Sequence, residues 1–177
     1  MRVLIIEGDP TAAKSLGEGL RRNAGFEVTV ASGVEIGLDR IGRESVDCVL
    51  LATGTMVLPS LEAAEELDKD GVRCTVVNCR FLKPYDRDVF EEMVRSHPAV
   101  VTVEEGQIAN GFGAFMAREI DALDLESPPR VSAMGVPDHF IEHGSRDVLL
   151  GELGLDAAGI ARQVRRVVRK SATLETA

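Results

Sequence analysis

Residues 46–55 read VDCVLLATGT. Five of the first six are apolar, which predicts a strand buried on both faces, as in a parallel sheet. The TGT that follows predicts a turn. Residues 59–70 then place apolar side chains at helical spacing, and Gly71 ends the helix. Strand, turn and helix in this order predict the start of a β-α-β unit.

The same alternation of strand and helix runs along the rest of the chain. On the carboxyl side, strands are predicted at residues 73–77, 100–104 and 130–133, and helices at residues 86–96, 112–123 and 156–170. On the amino side, strands are predicted at residues 3–6 and 26–31, and a helix at residues 34–43. This order predicts one α/β domain over residues 1–177, a three-layer αβα sandwich with a mostly parallel sheet.

The composition excludes several classes of partner. The 177 residues carry a net charge of −9, which argues against nucleic acid and against an anionic membrane surface. No apolar stretch is long enough to span a bilayer, and the amino terminus lacks the pattern of a signal peptide. Cys48, Cys74 and Cys79 lie in or next to apolar runs without metal-ligand spacing. We therefore expect reduced thiols in a cytoplasmic protein.

Five motifs follow one another from residue 46 onward. They are VDCVLLATGTMV, AAEELDKDGVRCTVVNCRFLKPYD, VVTVEEG, GFGAF and GVPDHFIEHGSRDVLLGELGLDAAGIARQV. In this order they resemble the C-terminal domain of 1-deoxy-D-xylulose-5-phosphate synthase, a thiamine-diphosphate enzyme of the transketolase superfamily. The resemblance covers residues 46–170 and implies a transketolase C-terminal-like, flavodoxin-like fold with a structural, dimer-supporting role. It implies scaffold positions at Glu104, Glu105, Gly111, Phe112, Gly113, Asp138 and His143.

The resemblance also defines what a complete enzyme of this kind requires. Such catalysis uses a diphosphate-binding domain with a Mg²⁺ motif and a pyrimidine-binding domain with an activating Glu. Neither is recognisable in this sequence. We therefore expect a protein that is not an enzyme on its own, with no cofactor and no catalytic, cofactor-binding or metal-binding residue. The alternative is a subunit that completes a split transketolase-type enzyme in trans.

The first 45 residues resemble a different family. MRVLIIEGDPTAAKSL and GFEVTVASG, followed by VDCVLL, are similar to the first half of a response-regulator receiver domain. Glu7 and Gly8 stand at the positions of its metal-binding acids, with Asp9 beside them, and Ala52 stands at its phosphoacceptor position. Mg²⁺ needs more oxygen ligands than Glu7 and Asp9 supply. A degenerate receiver-like segment is therefore expected, and the two joined segments indicate a chimera of natural or engineered origin. A further alternative function is a pseudo-receiver that binds a partner without phosphorylation.

One glycine-rich motif invites a site but also has a structural explanation. Gly111-Phe112-Gly113 precedes a predicted helix, where such a loop could cradle a phosphate. Glu104 and Glu105 make the entrance acidic, so a tight turn into the helix is favoured. The TGT turn lacks a dinucleotide-binding fingerprint and is also interpreted as a plain turn.

Two His and two acidic residues lie within residues 138–143 and could ligate a metal. The side chains of consecutive residues diverge unless the backbone folds tightly, so a scaffold role is favoured here. Phe140 and Ile141 are then apolar anchors, and His143 is a hydrogen-bonded structural residue.

Three expectations concern packing. The strand at residues 46–51 is expected between those at 73–77 and 100–104, with the strand at residues 3–6 on the outer edge of 73–77. His97 is expected to cap a helix end as a partly cationic imidazole.

We also expect a two-fold homodimer, because an exposed apolar face of such a domain is most often covered by a second copy. Phe112 and Phe115 are the candidates for that face.

Overall fold

A computed structural model describes residues 2–6, 27–31 and 46–172, with side chains for residues 46–169. The strands are β1 (Arg2–Ile6), β2 (Glu27–Ala31), β3 (Cys48–Ala52), β4 (Cys74–Asn78), β5 (Ala99–Gln107) and β6 (Arg130–Val136). The helices are α1 (Val57–Lys69), α2 (Arg87–Ser96), α3 (Phe112–Asp121), α4 (Arg146–Glu152) and α5 (Ala157–Ala172). Each element predicted within these ranges is present, and α4 is an addition to them.

Four of the strands form a parallel sheet in the order β4-β3-β5-β6. β3 is hydrogen-bonded to both β4 and β5, as predicted, so it has no free edge. All five of its residues are buried, which explains why its sequence is a continuous apolar run. β5 pairs regularly with β6 up to Val103, and the register shifts before the next pair at Gln107. Residues 104–106 therefore leave the ladder at the end of β5.

The helices form one layer on each face of this sheet. α1 and α5 cover one face, where Leu67 of α1 and Leu50 of β3 are fully buried. α2 and α3 cover the other face, where Met93 of α2 packs with Val49 of β3. Successive β3 residues thus supply opposite layers, as the alternation of side chains along a strand requires. The predicted three-layer αβα sandwich is confirmed.

β1 and β2 pair with each other in parallel and form a separate two-stranded sheet. The Cα atoms of β1 come within 8 Å of those of β4, but no hydrogen-bonded ladder joins these two strands. The prediction that the strand at residues 3–6 pairs with the outer edge of β4 is therefore wrong, although β1 lies beside that edge. β2 instead provides a register partner for each of the five β1 residues, which satisfies one side of the strand.

Side chains cap both ends of α2. At its start, the Asp86 carboxylate accepts the N–H of Val89 at 3.1 Å. At its end, His97 is buried, with Nδ1 2.9 Å from the carbonyl oxygen of Met93 and Nε2 2.8 Å from Thr75 Oγ1. Because a carbonyl only accepts, Nδ1 carries the proton and Nε2 accepts from the Thr75 hydroxyl. The predicted cap is present, but burial lowers the pKa of His97, so its ring is neutral rather than partly cationic.

Aromatic side chains gather on the face covered by α2 and α3. The ring of Tyr85 makes edge-to-face contacts with Phe90 and Phe115, at centre-to-centre distances of 5.4 and 5.5 Å. Its hydroxyl donates to Glu119 Oε2 at 2.7 Å. These contacts fasten the segment before α2 to α3.

Among the described helices, none is both long and apolar enough to cross a membrane. The helix predicted at residues 34–43 and the receiver positions Glu7, Gly8 and Asp9 lie outside the described residues.

Candidate functional site

The carboxyl ends of the parallel strands meet at one edge of the sheet, where α/β domains place ligand sites. The turns after β3, β4 and β5 there surround an open cavity of about 580 Å³, called the carboxyl-edge cavity below. It is lined by Thr53, Gly54, Thr55, Leu82, Lys83, Glu104, Glu105, Gly106, Asn110, Gly111, Phe112, Phe115 and Arg118. Four of the seven expected scaffold positions are therefore brought together here.

Glu104 leaves β5 with its carboxylate directed at the start of α3. Its residue is only 6 % exposed, and it accepts the backbone N–H of Phe112 at 3.0 Å and that of Gly113 at 2.8 Å. N–H groups in the first turn of a helix have no helical acceptor, and Gly111 at the N-cap has no side chain to provide one. Glu104 thus caps α3 from a neighbouring strand, at the position that an anion would take in a phosphate-binding loop.

Two glycines allow this close approach. A Cβ on Gly111 would collide with the carbonyl oxygen of Gln107 and would lie 2.6 Å from Glu104 Oε2. A Cβ on Gly113 would lie 2.5 Å from Thr102 Oγ1. The glycines of this motif are therefore explained by the packing of α3 against β5, without a ligand.

Glu105 joins three turns at the same edge. Its Oε1 accepts from Arg146 Nε at 2.8 Å, and its Oε2 accepts from Arg146 Nη2 and from Thr55 Oγ1, both at 2.6 Å. The hydrogen bonds from Arg146 and then from Thr55 lower the pKa of Glu105, so the carboxylate is charged at neutral pH. Arg146 begins α4, so its bidentate pair with Glu105 links α4 to the end of β5. The hydrogen bond from Thr55 links the turn after β3 to the same carboxylate.

Two cationic residues, Lys83 and Arg118, also line the carboxyl-edge cavity, and both are exposed. The Arg118 guanidinium lies 5.2 Å from the centre of the Phe115 ring and 3.7 Å from Glu119 Oε1. Within the described ranges, no group of three His, Cys, Asp or Glu residues could hold a metal ion. With both cavity carboxylates already accepting internal hydrogen bonds, the arrangement suits packing and binding better than acid–base chemistry.

The loop after β6 differs from expectation. Asp138 accepts from Gln107 Nε2 at 2.8 Å, which links the ends of β5 and β6. Phe140 is fully exposed, so its predicted anchor role is wrong, and Ile141 is half-buried. His143 is exposed, and no residue of the described chain is hydrogen-bonded to its ring, so the expected structural role is not seen. This part of the loop runs over the surface, so Phe140 and His143 stay in solvent.

Two other predicted positions are buried. Ala52 ends β3 with no exposed surface and carries no group that could accept phosphate. Phe112, the first residue of α3, is 8 % exposed and belongs to the core cluster that α2 and α3 cover, so it offers little surface to a dimer. The first residue of a helix next to a glycine can turn inward as easily as outward. Phe115 is half-buried and lines the carboxyl-edge cavity.

Two residues of this edge were missed by the sequence reasoning. Arg146 lies in the first turn of α4, where a cation opposes the helix dipole, and that mismatch signals a carboxylate partner. Thr102 interrupts an apolar strand, and its buried hydroxyl has no hydrogen-bond partner within the described ranges. A polar residue inside such a strand is itself a signal.

Known proteins with similar sequences are synthases much longer than this chain. The chain is 41 % identical over 140 residues to 1-deoxy-D-xylulose-5-phosphate synthase of Aquifex aeolicus, a match covering 77 % of this chain and 21 % of that protein. It is 44 % identical over 117 residues to the synthase of Leptothrix cholodnii, covering 66 % and 17 %. The chain thus spans about a fifth of the length of these relatives.

Solved structures show the same architecture. A split-gene transketolase, described as an inactive beta4 tetramer, matches 95 % of this chain and 57 % of its own, with a TM-score of 0.65 and 28 % identity. The transketolase of Campylobacter jejuni matches 93 % of this chain and 26 % of its own, with a TM-score of 0.51 and 17 % identity, and shares the fold. The sequence profile described as "Transketolase, C-terminal domain" matches residues 39–160. This chain, with its four-stranded parallel sheet between two helical layers, belongs to the transketolase C-terminal domain family.

Proposed function

We propose that residues 46–172 form a non-catalytic structural domain of a 1-deoxy-D-xylulose-5-phosphate synthase-type assembly, and that the domain supports dimerisation. The observation that carries this proposal is that Glu104 and Glu105, the two acids at the carboxyl-edge cavity, both accept hydrogen bonds from the protein itself. Glu104 holds the start of α3, and Glu105 holds Arg146 and Thr55. A carboxylate that already accepts such bonds is a poor general base, because proton uptake would break them.

Exposed apolar side chains support a docking role for the same edge. The described part of the chain has seven exposed large apolar residues, and six of them follow the carboxyl end of a strand: Leu58, Phe81, Leu82, Ile108, Phe140 and Val148. Only Val131 lies at the opposite end, near the start of β6. An apolar group collected at one edge is typical of a surface that another protein surface covers.

The dimer is tested by light scattering and sedimentation equilibrium of the whole chain. We expect a dimer at micromolar concentration, and we expect the double substitution F81S/F140S to weaken it at least about tenfold, because it removes two exposed aromatic anchors. The control is V131S, which makes a similar polar change at the opposite edge and should leave the dimer unchanged. A wild-type chain that is monomeric at high micromolar concentration would contradict the proposal, as would equal weakening by V131S.

The absence of catalysis is tested separately. The purified chain is incubated with pyruvate, glyceraldehyde 3-phosphate, thiamine diphosphate and Mg²⁺, and product is followed by mass spectrometry. We expect no turnover. Any turnover that survives repeated purification would overturn the non-catalytic role.

One comparison favours a second candidate, a subunit that completes a split enzyme in trans. The similar solved structure comes from a split-gene transketolase, and its beta chain alone forms an inactive tetramer. Here the test is co-purification with a separate chain that carries thiamine-binding domains, followed by the same assay. Activity of the mixture with none for either chain alone would support the split-subunit function.

We further propose that residues 1–45 are a degenerate receiver-like segment, joined to the family domain as a chimera. β1 and β2 pair in parallel, and the 20 residues 7–26 between them are long enough for a crossover. Ala52 leaves no phosphoacceptor at the end of β3. Incubation with acetyl phosphate and Mg²⁺ should leave the intact mass unchanged, and an added phosphoryl group would contradict the degenerate-receiver assignment. A cytoplasmic location stays a prediction.

A further inference from the structure

Cys48 and Cys74 stand opposite each other at the start of two neighbouring strands. They are register partners in the parallel pair formed by β3 and β4. Both side chains belong to the face covered by α1 and α5, where Cys48 lies in the core and Cys74 packs against it. The two side chains therefore leave adjacent strands on the same face and at the same level of the sheet, and Cys48 Sγ donates to the carbonyl oxygen of Val49 at 3.6 Å.

The backbone spacing suits a covalent link. Neighbouring strands lie about 4.8 Å apart, and disulfides join Cα atoms roughly 4.4 to 6.8 Å apart. Cys79 provides the contrast, because it follows the other end of β4 and packs on the opposite face of the sheet. Five residues of extended chain place it roughly 16 Å from Cys74.

We propose that Cys48 and Cys74 form an oxidation site, which a peroxide converts into a disulfide between β3 and β4. Cys74 gives up its proton, and its thiolate attacks one oxygen of hydrogen peroxide. The O–O bond breaks, the hydroxide that leaves takes that proton and becomes water, and Cys74 is left as a sulfenic acid. The sulfur of Cys48 then attacks the Cys74 sulfur, the S–O bond breaks, and the thiol proton leaves with the hydroxide as water. In total, two thiols and one peroxide give one disulfide and two waters.

The two cysteines differ in a way that assigns these roles. Cys74 is partly exposed, whereas Cys48 has no exposed surface. The neighbouring Cys74 thiol, followed by burial, raises the pKa of Cys48 well above its usual value. Cys74 is therefore the thiol that meets the oxidant, and Cys48 is the resolving thiol.

The geometry of the two strands would make this disulfide easy to reduce again. A disulfide between directly opposed residues of parallel strands must draw two Cβ atoms together, and strained disulfides are reduced more readily than relaxed ones. Forming it would join the first residues of β3 and β4, next to the edge where β1 lies. The link would resist separation of β4 from the sheet until a dithiol reduces it.

The experiment oxidises the folded whole chain with hydrogen peroxide, then denatures it and alkylates its free thiols. We expect one alkylated cysteine per chain in place of three, and an intact mass lower by two hydrogen atoms before alkylation. Dithiothreitol should restore three alkylated thiols. Three free thiols after oxidation, or Cys74 sulfinic acid without a link, would overturn the proposal.

Two variants identify the bonded pair. In C79A, trypsin cuts after Arg43, Lys69, Arg73 and Arg80, so the expected disulfide-linked species joins peptide 44–69 to peptide 74–80. C79A should keep the mass change, whereas C74A should lose it. A mass change that persists in C74A, or disappears in C79A, would show that the bond lies elsewhere. Should either variant fold poorly, fragmentation of the linked wild-type peptide 74–80, which holds both Cys74 and Cys79, shows which of the two carries the bond.

Discussion

Replacing Glu104 by Gln should destabilise the domain through the first turn of α3. Glu104 is 6 % exposed and accepts two backbone N–H groups, from Phe112 and Gly113. A Gln keeps the size of the side chain but offers one acceptor oxygen. Its NH₂ would face the second N–H, so two donors would meet in a buried site.

The geometry sets the size of the loss. A hydrogen bond to a charged group contributes about 1.5 to 3 kcal/mol, and a buried donor left without a partner costs about 1 to 3 kcal/mol. E104Q keeps one of the two bonds, so we expect a loss of about 2 kcal/mol in the free energy of unfolding. E104A loses both bonds, and we expect about 3 kcal/mol because water from the open carboxyl-edge cavity can solvate part of the exposed helix end.

The assay is urea unfolding followed by circular dichroism. A loss of about 2 kcal/mol should shift the urea midpoint of E104Q by about 1 M at an unchanged slope. The matched control is E105Q, the same substitution one residue along. Glu105 makes its bonds near the surface, so E105Q should shift the midpoint by less than half as much. If E104Q unfolds at the wild-type midpoint, or no earlier than E105Q, then Glu104 does not hold α3.

Three further predictions concern other contacts. T102V should raise the free energy of unfolding by about 1 kcal/mol in the same urea assay, because a methyl group replaces a buried hydroxyl without a partner in the described chain; a lower midpoint would show that the hydroxyl is bonded. Burial lowers the pKa of His97 in the folded state, so the unfolded chain takes up a proton first, and stability should fall as the pH drops from about 6.5 towards the folded pKa. Urea midpoints measured across this pH range should fall more steeply with decreasing pH for the wild type than for H97Q. The same pH dependence in both proteins would show that His97 does not cause the loss of stability. R165Q should lower the midpoint slightly at low salt only, because Arg165 pairs at the surface with Glu66 and Asp70; a loss that persists in high salt would indicate a packing effect.

The strands and most helices of the domain were predictable because their signals are local. Successive residues of β3 point into opposite core layers, so every position is apolar, and only a strand buried on both faces needs such a sequence. Asp86 and Gly71 mark helix ends by chemistry that depends on a few neighbouring residues. α4 was missed because it is short and buries only Leu150, which gives no helical period.

The predictions that were wrong concern residues whose positions depend on contacts with segments far away in the sequence. Phe140 is apolar, but whether it anchors or protrudes depends on the path of a surface loop that no sequence period describes. β1 could pair with either of two strands of similar composition, and the choice depends on three-dimensional packing. The role of Glu104 could have been predicted from the sequence. A helix that begins with Gly111 needs an acceptor for its first N–H groups, and a buried strand ending in two acids can supply one.

The ring of Tyr85 gives this protein an optical probe at one known place. The chain has one Tyr and no Trp, so its fluorescence at wavelengths longer than the emission of phenylalanine comes from Tyr85. The probe sits at the junction of α2 and α3, edge-on to Phe90 and Phe115. Unpacking of that layer should therefore change the emission, whereas oxidation of Cys48, across the sheet, should leave it unchanged. One spectrum recorded without a label would separate events on the two sides of the sheet.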